Sequence, residues 1–582
     1  MNLINLSKSK LLSFRQCSLK LWNEVYHRDL AGEIDSGTQF RFDEGTRVGE
    51  LARLRYPGGL LIVAEYWEVK EALKQTREAL EQSSRSIQSD PSVIPAKVGI
   101  QDMQSDSEST FLDSRLRGND NLSKISNRSL THSSGAALFE AAFEARRTRV
   151  RCDIMIRRNA TDWEMWEVKG VGTPKEIHLF DLAVQKRVTE LWAKENNYPL
   201  NIVRCGILHL NKEYVYEGGE YDVEALFSEY DCNGLIDQYI PEVEQAITDG
   251  FAVVNASEPP SIQPGSQCSS PYRCQFSGTA CELPVKEELK QLYRISAKKL
   301  ETLKSRGINR IEDLSEDDHE LSEIQSRIVG AIKSGKTQIE TTLKNKLQEI
   351  GYPRYHLDFE TISPVLPRYK GTRPFQTLPF QFSVHTEFSS SASAAHDGYL
   401  HEEDTDPRPP LAEALLQYLE APDTDPARAN APILCYSPYE KRMLNELGKN
   451  LPDLAPRLNA LKERLVDLLP VIRNNVYDKD FGGGFSIKKV LPALVPHLGY
   501  DDLDIADGES ASLKYLEMLE YFRLAKENPG DFKSNSKKEE DQVDPLERAK
   551  KIRTDLWLYC HRDTEAMVYL LKALNKLVNS GD

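Results

Sequence analysis

Asp153, Glu167 and Lys169 have the types and spacing that can activate water on a divalent cation. Residues 150–157 and 163–169 are rich in β-branched and aromatic side chains and flank a polar gap, which predicts a β-hairpin. If paired residue numbers sum to 320, Asp153 lies opposite Glu167, which shares a strand face with Lys169. Such carboxylates suit Mg²⁺ or Mn²⁺, whose bound water is a nucleophile that Lys169 can orient. The alternative is an ordinary ion pair on a solvated strand face.

The last part of the chain holds a second set of acidic residues. Asp358 and Glu360 are two residues apart in a predicted strand, so their side chains share one face. Glu440 lies where a predicted strand runs into a helix. Tyr559 and Asp563 are four residues apart in a predicted helix and also share a face. A strand D-x-E, a middle acid and a helical Tyr-x3-Asp together indicate a second candidate site.

The cysteines indicate a further centre. Three of the nine lie in a loop rich in proline, glycine and serine, with a spacing typical of metal sites: Cys268, Cys274 and Cys281. Cys17, in a predicted N-terminal helix, could supply a fourth ligand. The ligands alone leave structural Zn²⁺ and unliganded thiols open as alternatives. The remaining five lie in apolar settings and are interpreted as core thiols: Cys152, Cys205, Cys232, Cys435 and Cys560.

Composition limits the classes of protein. The 582 residues are enough for two to four domains. The N-terminus lacks the apolar stretch of a signal peptide and no run of 18 apolar residues occurs, so we expect a cytoplasmic protein without a membrane span. A net charge of −16 argues against a surface that is basic throughout, but it allows a local basic channel for nucleic acid.

The elements that must position these residues are predicted from apolar periodicity. Residues 86–135 show no such period and are expected to form a disordered surface insertion, with an active-site lid as the alternative. Before residue 284, we expect helices over 7–30, 40–54, 67–84, 176–196 and 222–250, and strands over 60–64, 200–208 and 214–216.

The rest of the chain divides into a linker and a second domain. Residues 285–348 are charged and helical, and the turn at Gly307 resembles a helix-hairpin-helix turn that can bind phosphate; a structural spacer is the alternative. Residues 349–582 hold the second acidic set. Its loops 367–376 and 481–489 mix basic and aromatic residues, which suits a groove for a single strand or simple loop packing.

The first acidic set follows the residue order of a known superfamily: Glu140, Asp153, Glu167, Lys169 and Gln185. This order resembles the PD-(D/E)XK nucleases, and more narrowly the RecB-like nucleases and the CRISPR-associated four-cysteine exonucleases. The resemblance implies that Asp153 and Glu167 hold the metal and that Lys169 assists the water. Glu140 is then a further acidic candidate, and Gln185 matches the helical glutamine of the RecB motif. The resemblance assigns residues 1–284 to a RecB-like nuclease domain.

The resemblance also bears on the cysteines. One distant cysteine with three close together is similar to the iron–sulfur nucleases of the RecB family. This implies a 4Fe–4S cluster on Cys17, Cys268, Cys274 and Cys281 that holds together the two ends of the domain. In two places the chain departs from the family: Thr189 stands where the family often has tyrosine, and the last cysteine gap is one residue longer.

The second acidic set resembles the DnaQ-like 3′–5′ exonucleases of the tyrosine subtype, which have an RNase H-like fold. The resemblance implies two divalent ions, with Tyr559 orienting the water and four acids as ligands: Asp358, Glu360, Glu440 and Asp563. The family's middle acid is normally aspartate, so Glu440 is a departure and Asp467 is a competing candidate. A domain that binds without cutting is the alternative.

The whole set of motifs resembles a bacterial family that joins a RecB-like domain to a DnaQ-like one. The resemblance implies an α/β protein that uses Mg²⁺ or Mn²⁺ to hydrolyse DNA at ends or flaps, in repair, recombination or defence. The alternative is a nucleic-acid-binding scaffold in which one or both sites are inactive. The sequence does not separate DNA from RNA as the substrate.

Overall fold

The structure is a computed structural model, and it describes residues 4–89, 137–283, 287–420, 426–527 and 544–580. Of the predicted disordered insertion, residues 90–135 lie outside the described residues, and residues 86–89 end a helix. The chain divides into two compact units. The first unit comprises residues 1–32, 45–211 and 222–282, and the second unit comprises residues 33–44, 212–221 and 283–582.

The first unit is built on a mixed sheet flanked by helices. Its strands are β1 (Leu6–Ser7), β2 (Leu60–Leu61), β3 (Ala137–Ala145), β4 (Thr148–Arg157), β5 (Asp162–Lys169), β6 (Asn201–Leu210) and β7 (Phe227–Asp231). Its helices are α1 (Lys8–Gln16), α2 (Ser18–Tyr26), α3 (Ser36–Arg53, which starts in the second unit), α4 (Val69–Ser89), α5 (Glu176–Glu195), α6 (Val223–Leu226) and α7 (Ile240–Asn255). Within the described residues, the sheet has the order β2-β3-β4-β5-β6-β7, and β1 pairs in parallel with β4.

The predicted hairpin is formed by β4 and β5. Ile154 pairs with Trp166 and Arg157 pairs with Trp163, so the paired numbers sum to 320 and the predicted register is confirmed. Both tryptophans are buried, and because they are three residues apart they lie on opposite faces of β5. The same register, continued by one residue, places Asp153 opposite Glu167.

Three local predictions for the first unit are wrong. The helix predicted over 7–30 is two helices, because Cys17 between them has extended backbone (φ −166°, ψ 124°). Residues 214–216 are not a strand. The helix predicted over 222–250 contains β7, which pairs with β6 at the edge of the sheet. Most of β7 is exposed, so its sequence lacks the alternation of a half-buried strand.

The second unit is also mixed α/β. Its strands are β8 (Gln338–Ile339), β9 (Arg354–Ile362), β10 (Leu378–Glu387), β11 (Ala395–Leu400), β12 (Ile433–Cys435), β13 (Leu465–Asp467) and β14 (Val476–Tyr477). Its helices are α8 (Ala297–Ser305), α9 (Glu323–Ser334), α10 (Thr342–Gln348), α11 (Arg408–Leu419), α12 (Pro426–Ala429), α13 (Tyr439–Asn450), α14 (Ala455–Glu463), α15 (Leu468–Asn475), α16 (Ile487–Leu494), α17 (Gly508–Glu527) and α18 (Pro545–Ser580).

In the part of this unit that the structure describes, the main sheet has the order β11-β10-β9-β12-β13. β9, β10 and β11 are antiparallel, whereas β12 and β13 run parallel to β9. One face of β9 and β10 is apolar and packs in a core with side chains of α11, α13 and α14. The other face is polar and lies under α18: the Gln381 amide donates to the carbonyl oxygen of Leu556, and the Ser383 and Thr564 hydroxyls lie 2.7 Å apart.

No helix among the described residues combines the length and the apolar character that crossing a bilayer requires.

Candidate functional sites

The first acidic site lies where β5 and α5 meet the start of α1. Lys169 Nζ lies 2.6 Å from Glu167 Oε1 and 2.9 Å from Asp181 Oδ2. Lys8 Nζ, from α1, lies 3.1 Å from Glu167 Oε1 and 3.2 Å from Asp181 Oδ1. Both carboxylates are buried. Each ammonium therefore bridges Glu167 and Asp181, which balances the charge of this pair.

Gln185 completes this cluster from one turn further along α5. Its Nε2 donates to Glu167 Oε2 at 2.6 Å and to Asp181 Oδ1 at 3.3 Å. Its Oε1 is buried and receives no hydrogen bond from the described residues. Thr189, the departure from the family pattern, lies instead beside Cys152, with Oγ1 and Sγ 3.8 Å apart.

Asp153 is the carboxylate of this site that lacks a cationic partner. It accepts a hydrogen bond from the Val168 backbone N–H at 2.7 Å, and no lysine or arginine among the described residues forms an ion pair with it. Burial and the charge of Glu167 raise the pKa of Asp153 to about 8. A cation beside Asp153 would remove this repulsion, so the donor set fits a divalent ion held by Asp153 and Glu167.

Glu140 is held apart from this cluster by two arginines. The neighbouring pairs of β3 and β4 place it opposite Asp153. Its side chain, however, forms ion pairs with Arg53 at 2.8 Å and Arg151 at 3.4 Å. Its backbone has φ +60°, an unusual conformation for a residue other than glycine. The structure therefore places Glu140 beside the site, but its carboxylate is engaged elsewhere.

The four predicted cysteine ligands line one cavity of the first unit: Cys17, Cys268, Cys274 and Cys281. The extended backbone of Cys17 separates α1 from α2 at the cavity. The Gln16 side chain then fastens the end of α1 to the cysteine loop, because its Nε2 donates to the carbonyl oxygens of Gln267 and Tyr272 at 2.7 Å each. Burial and the neighbouring thiols raise the pKa of Cys281.

The four thiols of the cavity are compatible with more than one kind of metal centre. With Zn–S bonds of about 2.3 Å, the sulfurs of a tetrahedral site lie about 3.8 Å apart. Among the described residues, the sole group of three potential ligand atoms within 4.8 Å of one another is formed by Asp358, Glu360 and Cys560. The cavity cysteines do not form such a group, and four thiolates can hold either one tetrahedral Zn²⁺ or a 4Fe–4S cluster.

The second acidic site lies on the polar face of β9 under α18. Asp358 and Glu360 point to that face, as the two-residue spacing predicts. Burial and the nearby carboxylates raise the pKa of both well above their ordinary values. Cys560 of α18 donates weakly to Asp358, with Sγ and Oδ2 3.9 Å apart. Buried acids that repel one another are typical of a site for divalent cations.

Tyr559 and Asp563 bring α18 into the same site. Asp563 Oδ1 accepts a hydrogen bond from the Tyr500 hydroxyl at 2.5 Å, and burial raises the pKa of Asp563 to about 6. Lys488, at the start of α16, donates from Nζ to the Tyr559 hydroxyl at 3.2 Å. One residue of the predicted basic loop 481–489 thus contacts the site and holds the tyrosine in position.

Glu440, rather than Asp467, is the middle acid nearer to this site. Glu440 is buried in the first turn of α13, accepts from the Ser437 hydroxyl at 3.3 Å and contributes to the raised pKa values of Asp358 and Glu360. Burial raises the pKa of Glu440 itself to about 7. Asp467 instead caps α15, where it accepts from the Leu469 backbone N–H at 2.9 Å.

Sequence reasoning assigned no role in these sites to four residues: Lys8, Asp181, Tyr500 and Cys560. Asp181 could have been found, because it lies four residues before Gln185 and therefore on the same helical face. Cys560 lies three residues before Asp563, a spacing that also shares a face. Lys8 carries no such local signal, since its partner Glu167 is 159 residues away.

One family resembles part of the chain. A family model described as a domain of unknown function (DUF2779) matches residues 355–486. The matched stretch contains Asp358, Glu360 and Glu440 and ends just before α16, so α18 lies beyond it. Comparison with curated proteins and with solved structures finds no match.

Proposed function

We propose that this protein is a metal-dependent nuclease that hydrolyses DNA at strand ends or flaps. The first unit is proposed to have a PD-(D/E)XK core of the RecB type, and the second unit an RNase H-like core of the DnaQ type. The observation that carries the proposal is the meeting of Asp153, Glu167, Lys169 and Gln185 at one buried point of the first unit. Their order in the chain and their contacts both support metal-dependent hydrolysis of a phosphodiester bond.

In the first unit, Asp153 and Glu167 would hold Mg²⁺ or Mn²⁺. Such an ion supplies Lewis-acid activation of water and stabilises developing negative charge. Gln185 fixes the Glu167 carboxylate through its hydrogen bond to Oε2. Lys169 is fixed by two carboxylates, so its ammonium can orient the attacking water and stabilise charge on the phosphate.

In the second unit, four buried or half-buried acids would hold the divalent ions: Asp358, Glu360, Glu440 and Asp563. Lys488 donates to the Tyr559 hydroxyl, so this oxygen keeps an acceptor position for a water proton. We propose that Tyr559 orients the water for 3′-end trimming.

The cavity cysteines are proposed to hold a 4Fe–4S cluster whose role is structural. Cys17 lies 251 positions before Cys268, the first of the other three cysteines in the chain. A cluster on these thiolates would join the N-terminal helices to the cysteine loop and add folding free energy. Structural Zn²⁺ is the alternative, and elemental analysis for zinc and iron distinguishes the two centres.

Purified protein with Mg²⁺ or Mn²⁺ and end-labelled single-stranded, duplex and flap DNA tests the proposal. We expect cleavage that requires the divalent ion and starts at ends. Absence of cleavage with both metals on every substrate would contradict the nuclease assignment. Tight DNA binding without cleavage would favour a nucleic-acid-binding scaffold. The same assays with matched RNA substrates show whether the protein cleaves DNA or RNA.

A further inference from the structure

We propose that Cys560 is a metal ligand together with Asp358 and Glu360, and that this group binds Zn²⁺ in preference to Mg²⁺. The inference deepens the proposed function, because it concerns the acidic site of the second unit. Its readout is metal binding, so it can be tested whether or not the protein cleaves DNA.

The geometry brings one ligand atom from each of these residues together. Asp358 and Glu360 come from β9, and Cys560 comes from α18. One carboxylate oxygen from each acid and the Cys560 sulfur lie within 4.8 Å of one another. Across the described ranges, no other group of histidine, cysteine or acidic side chains converges so closely. A cation between these atoms would need only small side-chain movements to reach bonding distance.

The acids in this group also lack partners. Glu360 is 7% exposed, and within the described residues its carboxylate neither accepts a hydrogen bond nor forms an ion pair. The weak S–H donor of Cys560 is the one hydrogen bond that the described residues offer to the Asp358 side chain. Lys488, the nearby cation, donates instead to the Tyr559 hydroxyl and to the carbonyl oxygen of Ala506. The carboxylates of Asp358 and Glu360 repel each other, and a bound cation would relieve that repulsion.

Cys560 differs from Cys435, the other cysteine of the second unit. Both thiols are buried. The Cys435 sulfur lies within hydrogen-bond range of the backbone carbonyl oxygens of Ser437 and Val466, as expected for a core thiol. The Cys560 sulfur faces the carboxylate of Asp358. The Cys435 thiol also interacts with the carboxylate of Glu440, a proposed ligand. The control for the loss of a buried thiol is therefore Cys232 of the first unit, whose sulfur lies near the Tyr230 carbonyl oxygen.

The sulfur determines which cation the group prefers. Carboxylates alone suit Mg²⁺ and Mn²⁺, whereas a thiolate favours Zn²⁺ and Co²⁺. Binding requires the Cys560 thiol to lose its proton to solvent, after which the sulfur donates an electron pair to the ion. No oxidation or reduction takes place. Zn²⁺ would then occupy a position that the proposed reaction needs for Mg²⁺ or Mn²⁺, so it would act as an inhibitor of the second unit.

The experiment is a Zn²⁺ and Co²⁺ titration of full-length protein in excess Mg²⁺. Wild type is compared with Cys560→Ser and Cys232→Ser, so that the four cavity cysteines contribute equally to all three. We expect Cys560→Ser to bind Zn²⁺ at this site on the order of 100-fold more weakly and to lose part of the thiolate-to-Co²⁺ absorption. Cys232→Ser should titrate like wild type.

A second variant keeps the test decisive if Cys560→Ser does not fold. Asp358→Asn preserves the size of the side chain and should cause the same loss of Zn²⁺ affinity, with circular dichroism as the check on folding. Unchanged Zn²⁺ stoichiometry and affinity in the folded variants would overturn the inference. Zn²⁺ binding through Cys560 in a protein that cleaves nothing would support the inference and contradict the proposed function instead.

Discussion

Lys8 and Cys17 lie at opposite ends of the same helix, α1. Lys8 is the first residue of the helix and contacts Glu167, whereas Cys17 caps its C-terminal end and lines the cysteine cavity. A helix of nine residues rises about 14 Å, so one short rigid element joins the acidic site to the cysteine site. A disturbance at Cys17 is therefore expected to displace Lys8.

Lys8→Met tests the acidic end of this helix. Lys8 balances Glu167 and Asp181, so its loss should lower the free energy of unfolding of the metal-free first unit by about 2 kcal/mol. It should also increase the affinity for Mn²⁺, because a bound ion then relieves more repulsion. Denaturant unfolding in a chelator and calorimetric Mn²⁺ titration measure both effects. Lys10→Met, on the same helix but bonded to the Asn5 carbonyl oxygen, is the control, and identical behaviour of the two variants would contradict the assignment.

Lys169→Met should reduce cleavage by the first unit by about 100-fold or more in kcat while Mn²⁺ remains bound. Lys169 contacts Glu167 and Asp181, but Asp153 and Glu167 keep their oxygens for the ion. The assay uses an Asp358→Asn background, so that the second unit does not contribute products. Lys194→Met, an exposed position on α5, is the control. Loss of Mn²⁺ binding in Lys169→Met would show that the lysine shapes the metal site itself.

The same variants test whether the two sites act independently. Independent sites usually give additive effects. Lys169→Met should therefore keep 3′-end trimming, Asp358→Asn should keep the other products, and the double variant should be inert. Gel analysis of end-labelled products distinguishes these patterns. If Lys169→Met alone removes all cleavage, the second unit is a binding module, and Glu440 at the position of an aspartate is the first residue to examine.

The cysteine centre predicts the colour and metal content of the protein. Protein purified without oxygen should be brown and contain iron and acid-labile sulfide. Cys274→Ser should lose iron and lower the Tm of the first unit, because a bound cluster contributes folding free energy. Cys232→Ser, a buried thiol outside the cavity, should keep its iron. Zinc without iron in the wild type would support the structural zinc alternative.

The second unit is expected to lose stability in acid through Glu387. Burial opposes ionisation of Glu387, but hydrogen bonds from His356 at 2.8 Å and Arg354 at 2.7 Å outweigh it and lower its pKa to about 2. The unfolded chain therefore binds this proton first, and stability falls as the pH drops from about 4.5 towards 2. Burial lowers the pKa of His356, which acts in the same direction below pH 6.5.

Urea unfolding of the second unit from pH 7 to pH 3 measures this effect. Glu387→Gln should be about 3 kcal/mol less stable at pH 7, because Arg354 stays buried without its charged partner. The free energy of unfolding of the variant should also depend less steeply on pH. A pH dependence equal to that of wild type would assign the acid sensitivity to other groups.

Local patterns were sufficient for the β4–β5 hairpin and its register. The polar gap from Arg158 to Asp162 limits the turn, and the apolar side chains of β4 and β5 on either side are largely buried. The same kind of pattern failed for β7, because an exposed edge strand buries too little to show a period. It also missed the break at Cys17, where packing at the cavity overrides helical propensity.

Contacts between distant parts of the chain could not be predicted in this way. Lys8 reaches Glu167 through the packing of α1, and no residue near either position signals the contact. The apolar sequence setting of Cys560 predicts a core thiol. Only the fold shows that its sulfur faces Asp358. The proposed disordered character of residues 90–135 stays a prediction.

The position of α18 late in the chain has a consequence for biosynthesis. Cys560 is made 202 residues after Asp358, an interval of about 10 to 40 s at ordinary rates of translation. Until then the face of β9 and β10 that α18 covers is open to solvent on the ribosome. That face carries the polar residues Gln381, Ser383 and His385, but α18 also packs against Leu378 and Phe380, so the incomplete chain exposes apolar surface as well. The acidic site is completed only after α18 has been synthesised, so the nascent chain cannot use it against the nucleic acids around it.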